Sequence, residues 1–100
     1  MPPPVLPVRG RAVLLPGGRW RPRRIRPPDV PVGAAQYGDS VVVVCRSGQL
    51  LSYDATTRAQ RRSLLTLVKV DEVRFEEDAI VVGKGGDATR YHPVTLERLH

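Results

Sequence analysis

The stretch YGDSVVVVCRSGQLLSYDATT (residues 37–57) recurs without a gap 38 residues later as FEEDAIVVGKGGDATRYHPVT (residues 75–95). Five aligned pairs are identical: Val43 with Val81, Val44 with Val82, Gly48 with Gly86, Tyr53 with Tyr91, and Thr57 with Thr95. Four more are conservative: Tyr37 with Phe75, Asp39 with Glu77, Val42 with Ile80, and Arg46 with Lys84. A fixed period of this length is typical of a repeated supersecondary unit.

Each unit predicts the same order of strands and turns. Residues 41–45 and 79–83 are largely apolar at consecutive positions, which favours a strand covered on both faces. The tripeptides RSG and KGG follow and place Gly48 and Gly86 where a tight hairpin turn needs positive φ. Equivalent turns predict a similar loss of stability, about 1–3 kcal/mol, when either glycine is replaced by valine.

A third strand in each unit ends at an aromatic residue, and a second turn follows it. These strands are residues 49–53 and 87–91, and their last residues are Tyr53 and Tyr91. The segment between the units could be helical over residues 60–70, but its valines favour a strand, which is our prediction.

This order of strands and turns resembles a β-propeller blade, and residues 73–99 are similar to the inner three strands of a WD repeat. Tyr91 stands where that family places tryptophan, and Tyr53 with Asp54 resembles its aromatic–aspartate pair. Neither unit has the family's Gly-His pair, and His92 replaces the aspartate in the second. The resemblance implies an all-β fold of two tandem antiparallel blade-like units, and the residues leave a small β-barrel or sandwich as the alternative.

The chain divides by composition into two regions. Residues 1–33 form a Pro/Arg-rich basic arm in which residues 11–25 can make a hairpin, because nine of the ten prolines lie in residues 1–31. Residues 34–100 hold the two repeat units, 34–66 and 67–100. Gly10 lies 38 residues before Gly48, so the front hairpin could supply the outer half of a third unit.

Charge is concentrated at the front of the chain. Residues 1–36 hold seven arginines against one acid, Asp29, whereas residues 37–100 hold nine basic and nine acidic side chains. A basic arm attracts phosphate or an anionic surface, and the alternative is a solvated tail.

The segment RWRPRRIRP (residues 19–27) combines guanidinium groups that pair with phosphates and a ring on which bases stack. In an extended conformation Arg19, Arg21 and Arg23 share one face and Trp20 points to the other. The candidate nucleic-acid- or anion-binding residues are Arg19, Trp20, Arg21, Arg23, Arg24 and Arg26.

The sequence indicates no catalytic or metal site, so we predict that the protein is not an enzyme and binds no cofactor. Cys45 is the only cysteine, which excludes an intramolecular disulfide and a cysteine zinc cluster. His92 and His100 have no partner at metal-ligand spacing. No apolar run is long enough to span a membrane, and prolines interrupt any signal-peptide segment, so we expect a cytoplasmic protein without membrane contact.

Two functions are compatible with these observations. The first is a non-catalytic, self-associating β-repeat binding or scaffold module, a homo-oligomer because two units leave blade faces uncovered; a protein partner would fit the same module. The alternative is a small nucleic-acid-binding β protein that uses the basic arm at residues 9–26.

Overall fold

The computed structural model describes residues 2–16, 23–66 and 68–99. These residues form twelve β-strands and no helix, so none of them belongs to a helix that could cross a membrane. The all-β prediction is confirmed. The strands are β1 (Val5–Leu6), β2 (Val8–Arg9), β3 (Ala12–Leu15), β4 (Arg23–Ile25), β5 (Pro31–Tyr37), β6 (Ser40–Cys45), β7 (Gln49–Asp54), β8 (Gln60–Leu65), β9 (Glu72–Phe75), β10 (Ile80–Lys84), β11 (Asp87–Tyr91) and β12 (Arg98–Leu99).

Three antiparallel sheets are stacked face to face. The front sheet has the order β2-β3-β4, the central sheet β1-β5-β6-β7-β8, and the rear sheet β12-β11-β10-β9. The described strands do not close into a barrel, so the arrangement is sandwich-like.

The central sheet is buried on both faces because β6 is apolar at every position from 41 to 45. Val43 and Cys45 pack in the cluster between the central and front sheets, whereas Val42 and Val44 pack in the cluster between the central and rear sheets. All four are fully buried, which confirms the expected strand covered on both sides. Burying one such valine or cysteine contributes roughly 1.5–3 kcal/mol, so this strand anchors the stack.

The front third of the chain shares a core with the first repeat unit, which differs from the arm that we expected. Within it, β3 pairs antiparallel with β4, and Val13 lies opposite Ile25. Val13 and Ile25 of the front sheet are buried in one cluster with Leu6, which lies on β1 of the central sheet. Neither β1 nor β4 contains a proline, and Pro31 is the first residue of β5, next to an irregularity in its pairing with β6, where a proline is tolerated.

The gapless alignment of the two repeat units is wrong by one residue in their first two strands. Five residues lie between the paired Val44 and Leu50 at the turn that joins β6 to β7, whereas two lie between the paired Lys84 and Asp87 at the turn that joins β10 to β11. Because one count is odd and the other even, the strands before these turns are displaced by one residue. A slip of one residue moves a side chain to the opposite face of a sheet. Val43 therefore faces the front sheet, while its aligned partner Val81 lies on the outer face of the rear sheet, opposite Arg74 and Arg90.

The slip also separates the aligned aromatic pair Tyr37 and Phe75. Both contact the cluster between the central and rear sheets, but they reach it from opposite sides. The hydroxyl of Tyr37 donates to the backbone oxygen of Glu76 at 2.7 Å, and burial, with Glu76 and Asp78 nearby, raises the pKa of Tyr37 to about 12. The pair is therefore not equivalent, although its chemistry suggested it.

The 38-residue period is strict in the turns after β7 and β11, residues 54–59 and 92–97. In each turn the first N–H donates to the carbonyl of the sixth residue, at 2.8 Å in the first turn and 2.7 Å in the second. The fifth residue is left-handed in both, with φ of 64° at Arg58 and 63° at Leu96.

The first side chain of each of these turns closes it in the same way. Asp54 Oδ1 accepts from the N–H groups of the third and fourth residues, both at 2.8 Å. His92 Nδ1 accepts from the corresponding N–H groups, both at 3.1 Å. An imidazole nitrogen thus replaces a carboxylate oxygen without a change in the backbone.

Candidate anion-binding face

The outer face of the front sheet, turned away from the central sheet, carries the candidate site. Strand alternation directs Val13 and Ile25 inward and leaves Ala12, Leu14 and Arg24 on the outer side. Arg9 pairs with Ala12 across the β2–β3 hairpin, and Leu14 pairs with Arg24 across β3–β4. We call this surface the basic face, and it is formed by Arg9, Arg11, Ala12, Leu14, Arg24 and Arg26.

The basic face holds a shallow open depression of about 420 Å³, which is lined by its six residues. Ala12 and Leu14 form an apolar floor, and the four arginines surround it. Among the residues that the structure describes, no acidic side chain lines this depression, so the positive charges are not neutralised by a lining carboxylate.

Three guanidinium groups of the basic face are free for a ligand. Arg9, Arg24 and Arg26 make no side-chain hydrogen bond or ion pair with any residue that the structure describes. Arg11 differs, because its guanidinium donates to the backbone oxygen of Pro28 at 3.3 Å. Hydrogen bonds from Ser47 and Val30, together with the charge of Arg11, lower the pKa of Asp29.

The six arginine and tryptophan positions singled out in the sequence fall into three groups. Arg24 and Arg26 lie together on the basic face. Arg23 points the other way, and its guanidinium donates to the backbone oxygens of Ala55, at 2.6 Å, and Thr56. Arg19, Trp20 and Arg21 lie outside the described residues.

The structure therefore corrects the prediction that Arg23 lies on the binding surface with Arg24 and Arg26. Arg23 lies opposite Leu15 on β4, next to the inward-facing Ile25, so its side chain reaches the central sheet. Its two backbone acceptors belong to the turn after β7, and the bonds fasten the edge strand of the front sheet to that turn.

Arg9 and Arg11 also line the basic face. They fall within the basic arm of residues 9–26 but are not among the six candidate residues named from the sequence. They flank Gly10, whose φ is 59°, in the two-residue turn between β2 and β3. The alignment of Gly10 with Gly48 and Gly86 is the sequence signal for this hairpin, which brings Arg9 beside Ala12.

The opposite end of the stack has a different electrostatic character. On the outer face of the rear sheet, Arg74 and Arg90 flank the nearly buried Val81. Glu76 Oε1 accepts from Arg90 Nη1 at 2.7 Å, and Asp78 lies 3.7 Å from the same guanidinium. Charges on this face are paired with one another, unlike those of the basic face.

A second depression, of about 360 Å³, lies between the outer strands of the central and rear sheets. The two sheets approach closely at β5 and β9, where a Cβ on Gly33 would come 2.7 Å from Val73 Cγ1. They diverge toward β8 and β12, and Leu64, Tyr91 and Leu96 line the opening. The stack is therefore wedge-shaped at this contact.

The described residues offer little for covalent or metal chemistry. Burial is the main factor that raises the pKa of the Cys45 thiol, to about 11, and a buried thiol of this kind is a poor nucleophile. No group of three potential metal ligands occurs in the part of the chain that the structure describes.

Comparison of the chain with protein-family models, with curated proteins and with solved structures finds no match. The chemistry of the basic face is therefore the main guide to function.

Proposed function

We propose that the protein is a non-catalytic β-repeat binding module. Its basic face holds an anionic polymer, and nucleic acid is the polymer that we propose. The observation that carries this proposal is the unpaired state of Arg9, Arg24 and Arg26 on one sheet face. A guanidinium group presents a planar fork of donors that matches a phosphate. Three such groups without an acidic neighbour favour a ligand with several negative charges.

The placement of these arginines also supports the proposal. Arg9 and Arg24 are held by paired strands, so the distances between their backbones are fixed before a ligand arrives. A preformed site loses less conformational entropy on binding than a flexible tail. The excess of arginine in residues 1–36 adds a long-range attraction for polyanions.

A non-catalytic role is consistent with the surroundings of the reactive side chains. His92 uses Nδ1 to accept backbone N–H groups in its turn. Cys45 is buried at the centre of the stack. Neither is placed to act on a ligand at the basic face.

The proposal is tested by the salt dependence of binding to a fluorescently labelled single-stranded oligonucleotide. Each neutralised phosphate contributes about −0.7 to the log–log slope on a single strand, so four arginine contacts give a slope of about −2.8. Replacing three arginines with alanine should flatten the slope by about 2. The substitutions are Arg9→Ala, Arg24→Ala and Arg26→Ala, combined in one protein.

A matched control removes the same charge elsewhere. It combines Arg46→Ala, Arg62→Ala and Arg98→Ala, all at exposed positions outside the basic face. The control should keep most of the wild-type slope. Equal losses in both triple variants, or no complex with the wild-type protein at low salt, would contradict the proposal.

A second candidate function, self-association as a scaffold, is favoured by the uncovered faces at the two ends of the stack. The central sheet has a neighbour on each side, whereas the front and rear sheets have one each. A further blade-like sheet from another copy could cover either end, and propellers have about four to eight blades. Sedimentation at micromolar concentration should then show a dimer or a larger species, and a well-folded monomer would contradict this candidate.

A further inference from the structure

We infer that the nucleic acid held by the basic face is single-stranded, with bases on the apolar floor and phosphates on the arginines. This inference rests on the proposed function and adds to it the class of nucleic acid. It depends on the arrangement of apolar and cationic side chains within the basic face.

Apolar and cationic groups alternate across neighbouring strands of this face. Ala12 lies opposite Arg9, and Leu14 lies opposite Arg24. Residues paired in this way have Cα atoms about 4.5–5.5 Å apart. A ligand that satisfies the face must therefore offer anionic and apolar groups within a few ångströms of each other.

A single-stranded nucleic acid has this composition, because each phosphate is followed by a base with an apolar face. Unpaired bases can turn toward the protein and stack on guanidinium planes or pack on apolar side chains. Leu14 is only partly buried, so part of its side chain is available on the floor for such a contact.

A duplex would make fewer of the contacts that this face offers. Its base faces are stacked on one another, and its base edges are reached by an element that enters a groove, such as a helix or a two-stranded ribbon. The basic face is a three-stranded sheet surface with a depression, and its floor residues Ala12 and Leu14 lie below the surrounding arginines. A duplex on this face would contact the arginines through phosphates and leave the floor unused.

An abasic strand separates the two contributions, since it keeps the phosphates and lacks the bases. The experiment measures the affinity of the wild-type protein, at one salt concentration, for four labelled or competing probes of matched length. The probes are a single-stranded oligonucleotide, the corresponding abasic strand, a blunt duplex and polyglutamate. We expect the single strand to bind at least about fivefold more tightly than the abasic strand, which corresponds to about 1 kcal/mol from one base contact.

Substitutions at Leu14 test the floor directly. Leu14→Ser should weaken binding of the single strand about three- to tenfold and leave binding of the abasic strand unchanged, because the arginines remain. Leu14→Met keeps an apolar side chain and should retain the preference for bases. Unfolding midpoints of both variants show whether the sheet is intact, and the wild-type comparison of strands holds even if Leu14→Ser does not fold.

The outcomes separate this inference from the function on which it rests. Equal affinity for the single strand and the abasic strand, or tighter binding of the duplex, would overturn the single-strand inference and leave the binding of polyanions intact. Equal affinity for polyglutamate would overturn it in favour of an acidic protein partner. Failure to bind any probe at low salt would overturn the proposed function as well.

Discussion

The central sheet is packed between two other sheets, whereas the rear sheet is packed on one face and meets solvent on the other. Both are four-stranded meanders from the same 38-residue sequence pattern, with β1 added to the central one. In the central sheet, Val43 is fully buried, and in the rear sheet the aligned Val81 is covered by flanking arginines. The same residue types therefore have different energetic roles in the two copies.

The glycine turns of the two sheets show the contrast most clearly. Gly48 and Gly86 both have positive φ, 97° and 91°, in the turns before β7 and β11. A Cβ on Gly48 would overlap the backbone oxygen of Val68 and Oγ1 of Thr66, whereas a Cβ on Gly86 meets nothing within 4 Å. The expectation that both glycines tolerate valine equally poorly therefore does not hold.

The largest expected difference comes from replacing each glycine with alanine. Gly48→Ala combines backbone strain with overlap against a backbone atom and should lower the free energy of unfolding by about 3–5 kcal/mol. Gly86→Ala carries the backbone strain alone and should cost about 1–2 kcal/mol. Urea unfolding of the two variants measures the difference, and equal costs would show that the packing of Thr66 and Val68 over the first turn is not maintained in solution.

A second comparison concerns the valines whose alignment is displaced by one residue. Val43→Ala removes two methyl groups between packed sheets and should cost about 2–3 kcal/mol. Val81→Ala should cost about 1 kcal/mol, because the stems of the flanking arginines can move into the space. Val82 faces the central sheet. The loss of stability in Val82→Ala should therefore be closer to that in Val43→Ala than the loss in Val81→Ala is.

This set of three variants distinguishes two correspondences between the sheets. Under the gapless alignment Val81 is the equivalent of Val43, and the first two variants would lose similar stability. Under the observed pairing Val82 is the equivalent, 39 residues away. Similar midpoints for Val43→Ala and Val81→Ala, with a milder Val82→Ala, would refute the observed register.

The strands and glycine turns were predictable from the sequence because their signals are local. Consecutive apolar residues bounded by glycine and polar residues specify a buried strand and its turn. The one-residue slip was not predictable, because the run of valines from 41 to 44 is apolar on both faces and fits either register. The difference arises in the glycine turn that follows these strands, where five residues lie between the paired Val44 and Leu50 but only two between the paired Lys84 and Asp87. The tripeptides RSG and KGG look alike in sequence, so this difference in turn length could not be read from them.

The candidate site was predictable only in part, because the sequence carries local signals and does not show how the strands pair. Composition identified the arginine-rich segment that contains Arg24 and Arg26, which lie on the basic face. It could not separate Arg23 from Arg24, since two adjacent arginines have the same chemistry and only the pairing of β4 with β3 sends them to opposite faces. Arg9 was not singled out because its place on the face depends on the hairpin that joins β2 to β3.

The smallest expected effect concerns the two turns in which Asp54 and His92 play the same part. The N–H groups of Thr57 and Thr56, followed by the guanidinium of Arg61, lower the pKa of Asp54 from its ordinary value of 3.8 to about 2. A carboxyl whose pKa is lower in the folded state stabilises the fold above its unfolded pKa and loses that contribution on protonation. Stability from this turn should therefore decrease as the pH falls from about 4 to about 2.

Asp54→Asn keeps an oxygen acceptor for the turn and removes the charge, so the decrease in thermal midpoint between about pH 4 and pH 2 should be shallower than in the wild-type protein. His92→Asp places the same carboxylate in the rear turn, where position 99 holds Leu99 in place of the Arg61 of the first unit. His92→Asp should steepen the decrease in thermal midpoint as the pH falls from about 4 to about 2. The change should be smaller than the one caused by Asp54→Asn, because only backbone donors hold the new carboxylate. An unchanged acid profile for Asp54→Asn would show that this carboxylate is not held by its turn in solution, and a larger effect of His92→Asp than of Asp54→Asn would contradict the contribution of Arg61.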